Sequence, residues 1–245
     1  MPEDQPLEGQ LLSQEVERRL CDQLDEVENI DVDLQTDLLK ILQGQADTIY
    51  VAGQGLVIKG IRVQDIKLQT DNVAINPFSA LFGQIQLHQP VDVTTRIVLT
   101  EVDLNRALTS EIFYQKLQKF NLNVDDKIVS LKLEEMQLHL PEKNQMAFAG
   151  KVLIQEKEQT YSIGFTSMLR PRTRQSPIIL ESFQCTQGNG ISLDIIVALI
   201  QKAKELVNLP YFEFDDIILR IKELEVQKGN LILLIEAQVK QISSQ

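Results

Sequence analysis

From Ile30 onward, apolar residues recur at every second position rather than every third or fourth. Ile30, Val32 and Leu34 alternate with Asp and Gln, and Ile85, Leu87, Val91, Val93, Ile97 and Leu99 all share one parity. Successive side chains of a strand point to opposite faces, so this period predicts half-buried strands of an antiparallel sheet, apolar on one side. In two long segments the parity flips midway, from Ile61 and Val63 to Ile66 and Leu68, and from Leu131 and Leu133 to Met136, Leu138 and Leu140. A flip of this kind predicts a β-bulge, near Asp65 in the first case and near Glu135 in the second, where an extra residue bends the strand and increases its twist.

Helical spacing appears three times, once before this pattern and twice within it. Leu12, Val16, Leu20, Leu24 and Val27 form one face of an opening amphipathic helix. Thr100 and Asp103 make a capping-box-like start for a helix that the spacing of Leu104, Leu108, Ile112 and Leu117 carries to about Lys119. Ser192 caps a third, with Ile195, Ala198, Leu199, Ala203 and Leu206 as its apolar stripe and Pro210 as its stop. Strands and helices do not alternate regularly, so the fold class is α+β.

The segment Leu131 to Leu140, a turn at Glu142-Lys143-Asn144, then Met146 and Phe148, lines up with Leu219 to Lys228, a turn at Gly229-Asn230, then Ile232 and Leu234. A weaker third copy begins at Ile61, with Asp71-Asn72 as its turn. Either a duplicated hairpin or a shared β pattern accounts for the similarity.

Charge narrows the partners. With 24 Lys and Arg against 35 Asp and Glu, the net charge of -11 opposes generic adsorption to nucleic acid or anionic lipid. No tryptophan and 5% aromatic residues leave few stacking platforms for bases. Nucleic acid is therefore not an expected ligand. Cys21 and Cys185 form no motif and read as reduced packing residues, with a disulfide as the other reading. The start Met1-Pro2-Glu3-Asp4-Gln5 lacks an export signal, and no apolar run reaches the roughly 20 residues that span a bilayer, so the expected location is cytoplasmic. Residues 1–9 are expected to be disordered and 10–242 to form one domain.

Catalytic and metal signatures are missing. His88 and His139 are alternate strand residues without ligand partners at metal spacing, and Gly53-Gln54-Gly55 lacks the rest of a dinucleotide fingerprint. Adjacent acids such as Asp125-Asp126 and Glu134-Glu135 read as solvated charge. No cofactor, metal or enzymatic activity is expected. Two segments stand out instead. Asn76 to Gly83 concentrates Phe78, Leu81 and Phe82 between Pro and Gly, either as a plug of the core or as a membrane-touching or cavity-gating loop. Arg170, Arg172 and Arg174 form a basic turn that reads either as solvated charge or as a binding site for an anionic head group.

The opening helix, the strand pair from Ile49 to Leu68, the Asn76-Pro77 loop, and above all Leu99-Thr100-Glu101-Val102-Asp103-Leu104-Asn105-Arg106-Ala107-Leu108 resemble the LmeA family of phospholipid-binding proteins, in its cyanobacterial branch. The resemblance covers roughly residues 10 to 240. It implies a strongly twisted, bulged antiparallel sheet wrapping amphipathic helices, similar to tubular lipid-binding (BPI-like) domains, with an apolar groove for acyl chains. The implied function is non-enzymatic binding of a phospholipid, with lipid transfer or association with the cytoplasmic face of a membrane. Acyl chains would lie between the sheet and the helices carrying Leu104, Leu108, Ile112, Ile195 and Leu199. The actinobacterial members look exported and this chain does not, which separates it from their role in envelope biogenesis. A fully packed structural or protein-interaction module is the rival reading.

Overall fold

A computed structural model describes residues 7–58, 60–76, 86–110, 119–124, 127–142, 144–156, 159–171, 179–188, 190–207, 212–214 and 216–240. They are mostly antiparallel strand with a few helices, an α+β fold. The chain divides into two compact units, Met1–Val98 with Pro210–Lys222 and Leu233–Gln245, and Leu99–Leu209 with Glu223–Ile232.

The first unit begins with helix α1 (Leu7–Asp22), which opens within the segment expected to be disordered. Arg18 and Arg19 both bind Glu15 one turn below them, and this pairing holds the Glu15 carboxyl at a pKa of about 2. Strands β1 (Asn29–Gln35), β2 (Gln45–Ile58), β3 (Ile61–Ala74) and β4 (Val91–Thr100) follow, with the short helix α2 (Leu38–Leu42) between the first two. Register aligns Val32, Val51, Leu68 and Thr95 across these four strands, so the period-two residues do share one face. Two threonines are buried on it; Thr70 and Thr95 donate their hydroxyls to the carbonyls of Asp92 and Lys67, so neither is left unsatisfied. Helix α1 closes on β1 through Glu17, whose carboxylate accepts the Val32 N–H at 3.0 Å.

The expected bulge near Asp65 is not there. Gln54 faces Asp65 and Leu56 faces Val63, one register on both sides of the flip. Across from this stretch, Gly55 of β2 is at φ +59. A β-carbon at Gly53 would lie 2.9 Å from Leu56 Cδ1 and 3.1 Å from Ile66 Cγ2, so Leu56 stands beside Ile66 although it is three residues beyond Gly53. Glycine adopts the positive φ of Gly55 at little cost. Asp71 and Asn72 also lie inside β3 rather than at a turn, which removes the third hairpin copy. His88 sits in a bend before β4, its N–H donating to Ala74, not within a strand.

The second unit holds a five-stranded sheet in the order β5 (Lys119–Val124), β6 (Lys127–His139), β7 (Met146–Glu156), β8 (Gln159–Arg170), β9 (Ile179–Gln187). Here the bulge expected near Glu135 is present, as a register shift between Leu133 and Glu135. It also explains Gly150, where a β-carbon would stand 2.4 Å from the Glu135 carbonyl oxygen. Helix α3 (Glu101–Leu108) ends at the Thr109 cap rather than continuing to Lys119, which opens β5. Helix α4 (Leu193–Val207) starts with Ser192 Oγ accepting the Ile195 N–H at 3.3 Å. Its Ile195, 2% exposed, enters a core of Leu122, Val129, Leu131, Val152, Ile154 and Ile163, with Ala198 and Leu199 packed against it. Both aligned hairpins exist, one as β6–β7 and the other as β11 (Ile217–Gln227) with β12 (Asn230–Val239). Their tips are bonded together: Gly229 N–H donates to Leu140, and Val226 N–H to the side chain of Asn144. The seven-stranded sheet runs β1-β2-β3-β4-β12-β11-β10, ending on β10 (Phe212–Phe214).

Candidate functional site

Strand β6 pairs with β5 only as far as Lys132; past the bulge, its outer edge meets α3. An uncovered strand edge leaves N–H and C=O groups without partners, and here side chains replace a neighbouring strand. Asn105 donates its amide to Leu138 O at 2.7 Å and accepts Leu138 N–H at 2.8 Å. Glu101 accepts Leu140 N–H at 2.6 Å and lies 3.0 Å from His139 Nδ1. These contacts hold its carboxyl below the usual glutamate range, the Leu140 amide being the larger cause and His139 the smaller. Thr100 caps the helix by accepting Asp103 N–H at 3.1 Å, and its hydroxyl donates to the buried Asp103 carboxylate at 2.6 Å. Each polar residue of Thr100-Glu101-Val102-Asp103-Leu104-Asn105 named here therefore docks or caps the helix.

The α4 side of the β5–β9 sheet is more apolar than its helix needs. Beyond the core that α4 covers, register places Met136, Phe148, Phe165, Leu169 and Phe183 on the same face. All five are half-buried. Phe165 and Phe183 stack with ring centroids 5.7 Å apart, and Phe165 lies over Gly150, whose absent side chain gives the ring its seat. Beside α4 an open cleft of about 570 Å³ runs between the helix and β5. Leu122, Val124, Leu193, Val197 and Ala198 line it, with Asn121, Asn123, Gln201 and Lys202 among its polar groups. Leu193 and Val197 are 71% and 52% exposed.

Of the residues that the sequence pointed to, Ile195 is core, Leu199 packs against that core, and Leu104 and Leu108 are half-buried on α3. α3 and α4 bear on different strands of the sheet, β6 and β5. Arg170 closes β8 with its guanidinium paired to Glu181, whose second oxygen accepts Gln145 Nε2 at 2.5 Å. Phe78, Leu81, Phe82, Ile112, Arg172 and Arg174 lie outside the described residues. Both cysteines carry free thiols. Among the described residues no group of three or more His, Cys, Asp or Glu could hold a metal ion, and no helix is long and apolar enough to cross a membrane.

An apolar sheet face longer than the helix on it, next to an open cleft, is geometry suited to a hydrocarbon chain. A family model for LmeA-like phospholipid-binding proteins matches residues 6–236, nearly the whole chain. The chain belongs to this family. No curated protein and no solved structure matches it. Membership of a phospholipid-binding family supports lipid binding at family level, while the residues lining the cleft and the row from Met136 to Phe183 had escaped sequence reading. One signal was available for the cleft: Leu193, Ile195, Ile196, Val197, Ala198, Leu199 and Ile200 make α4 apolar nearly all round, more than one buried face requires. None was available for the row, because its members come from four strands and meet only through register.

Proposed function

We propose that this LmeA-like protein is a non-enzymatic phospholipid carrier that holds acyl chains on the apolar face of the β5–β9 sheet, along Met136, Phe148, Phe165, Leu169 and Phe183 and into the cleft beside Leu193 and Val197. The observation that carries the reading is the half-buried state of that row within a chain of a phospholipid-binding family. Side chains of this size are ordinarily closed into a core, and each methylene brought out of water against them contributes about 0.8 kcal/mol. A chain of lipid length therefore binds without any dedicated polar chemistry. The Leu104 and Leu108 side of α3 and the Ile195 and Leu199 stripe of α4 hold the two ends of the wall in place.

The antiparallel sheet, its bulge in β6 and the helices laid against it support a fold of the tubular lipid-binding type. A head group at Arg170 has to displace Glu181 from the guanidinium, and the side-chain amides of Asn121, Asn123 and Gln201 at the cleft are the alternative seat. The cytoplasmic face of a membrane is the proposed place of work, and transfer of lipid between membranes the proposed activity.

Native mass spectrometry of protein purified from its own host tests this. The expected spectrum shows the chain with bound phospholipid, and a photoreactive phospholipid should label peptides containing Phe165, Phe183 or Val197. A spectrum of bare protein, with no uptake of added phospholipid, would support the fully packed module instead.

A further inference from the structure

Strand β5 ends the five-stranded sheet, and among the described residues no strand lies beyond it. Only two residues connect it to β6, which makes Val124 and Lys127 a mutually bonded pair. By alternation, the N–H and C=O of Asn121 and Asn123 then point away from β6. Both residues line the cleft beside α4, so its strand wall carries these backbone groups. Hydrocarbon on the helix wall leaves them to water, whereas another strand bonds them directly. From Asn121 to Val124 the edge holds neither a proline nor a charge to keep a strand away.

The opposite wall is one flank of α4. Leu193, Asp194, Val197, Ala198, Gln201 and Lys202 recur along it at helical spacing, with Leu193 and Val197 71% and 52% exposed. Asp194 and Lys202 stand about two turns apart with the small Ala198 midway between them. A twofold axis at Ala198 lays this flank antiparallel against its own copy and brings each Asp194 to the Lys202 of the other copy. There is room for both contacts together. Ile195 shares one core with Val129 of β6 as well as Leu122 of β5, so the helix lies inward of the edge. Two such helices at about 8–10 Å then fit over two strands at about 5 Å. Self-association of a chain at -11 also needs a place where like charge does not accumulate. Here Lys119, Lys127, Lys132 and Lys202 offset Asp194 and the Asp125-Asp126 of the connection.

We propose that two copies of this chain form a twofold dimer through this edge, β5 adding antiparallel to β5 while the α4 flanks close over the joined strands. The dimer covers Leu193 and Val197, which are also the seat of the acyl chain in the cleft. A second copy and a chain in that cleft therefore exclude each other. Dimerisation does not rest on the phospholipid reading; this competition does.

Sedimentation velocity of the delipidated full chain over a series of concentrations should show a monomer–dimer equilibrium. Asp194→Lys and Lys202→Asp should each raise the dimer dissociation constant at least about tenfold, because both reciprocal pairs become like-charged. Mixing the two variant proteins should restore the dimer, since each copy then meets its opposite. A role of either residue within one copy gives no such rescue. Asn123→Pro removes an outward N–H at an edge position that tolerates proline, and should weaken the dimer by a similar factor with the melting temperature unchanged. Added phosphatidylcholine should shift the equilibrium towards monomer. A dimer that persists with lipid bound would count against the acyl path through the cleft, not against the dimer. A chain that stays monomeric at every concentration would overturn the proposal and leave the cleft to lipid or to a foreign strand. A dimer indifferent to both charge reversals and to their mixture would overturn it equally, by placing the contact elsewhere.

Discussion

Asn105 satisfies both backbone groups of Leu138 with one side-chain amide, donating to its carbonyl at 2.7 Å and accepting its N–H at 2.8 Å. Among the described residues no strand lies on that edge of the bulged half of β6, so this amide stands where a neighbouring strand would be. Replacing Asn105 by Leu should destabilise the protein by about 2–4 kcal/mol, since both groups lose their partner in a half-buried setting. Asn105→Asp keeps the acceptor and loses the donor, so its loss should be smaller. Urea unfolding distinguishes the two; a Leu variant within 0.5 kcal/mol of the parent would mean that water serves this edge equally well.

Glu101 sets an acid limit on stability. Its folded pKa lies below the ordinary 4.5 because the ionised carboxylate accepts the Leu140 amide and meets His139. A depressed carboxyl pKa contributes stability that is complete above the unfolded value and is lost as pH falls through the folded one. Stability should therefore decline below about pH 4.5, and Glu101→Gln should flatten that decline while lowering the plateau at neutral pH. Parallel pH–stability curves for the two proteins would refute the assignment.

Helix α4 separates packing from ligand contact along a single element. Ile195→Ala, in the core, should cost about 2–5 kcal/mol. Val197→Ser, two residues on and turned to the cleft side, should change stability by no more than about 0.5 kcal/mol and reduce phospholipid uptake. A Val197→Ser protein that takes up lipid like the parent would exclude the cleft from the acyl path.

Gly150 and Gly229 are required for different reasons. A β-carbon at Gly150 would stand 2.4 Å from the Glu135 carbonyl and 3.2 Å from the Phe165 ring, so Gly150→Ala should cost about 1–3 kcal/mol and disturb the Phe165–Phe183 stack. At Gly229 nothing lies within 4 Å, and only its φ of +73 resists a side chain. Gly229→Asn should therefore be nearly neutral, because Asn reaches the left-handed region readily. Thermal unfolding of both variants, with near-ultraviolet circular dichroism for the aromatic pair, reads the difference.

Period-two alternation and the capping residues were enough to identify strands such as β1, β3, β4 and β6, the α+β class, the starts of α3 and α4 and the bulge in β6, because each depends on residues a few positions apart, while β5 went unread. The capping box at Thr100 and Asp103 and the hairpin turns at Asn144 and Gly229 are local in the same sense. The same pattern misled at Asp65, where β2 and β3 keep one register on both sides of the parity flip, because a flip in sequence does not by itself require an inserted residue. Length was misread in α3, where the apolar spacing continues past Leu108 although the described helix stops there. What tertiary structure alone decided is contact between distant residues. Asn105 meets Leu138 across 33 positions, and Phe165 meets Phe183 only because β8 and β9 pair in one particular register. Local chemistry sets which face of each strand or helix is apolar, but which apolar faces close on one another, and which are left half-open for a ligand, depends on pairing energies spread over the whole sheet.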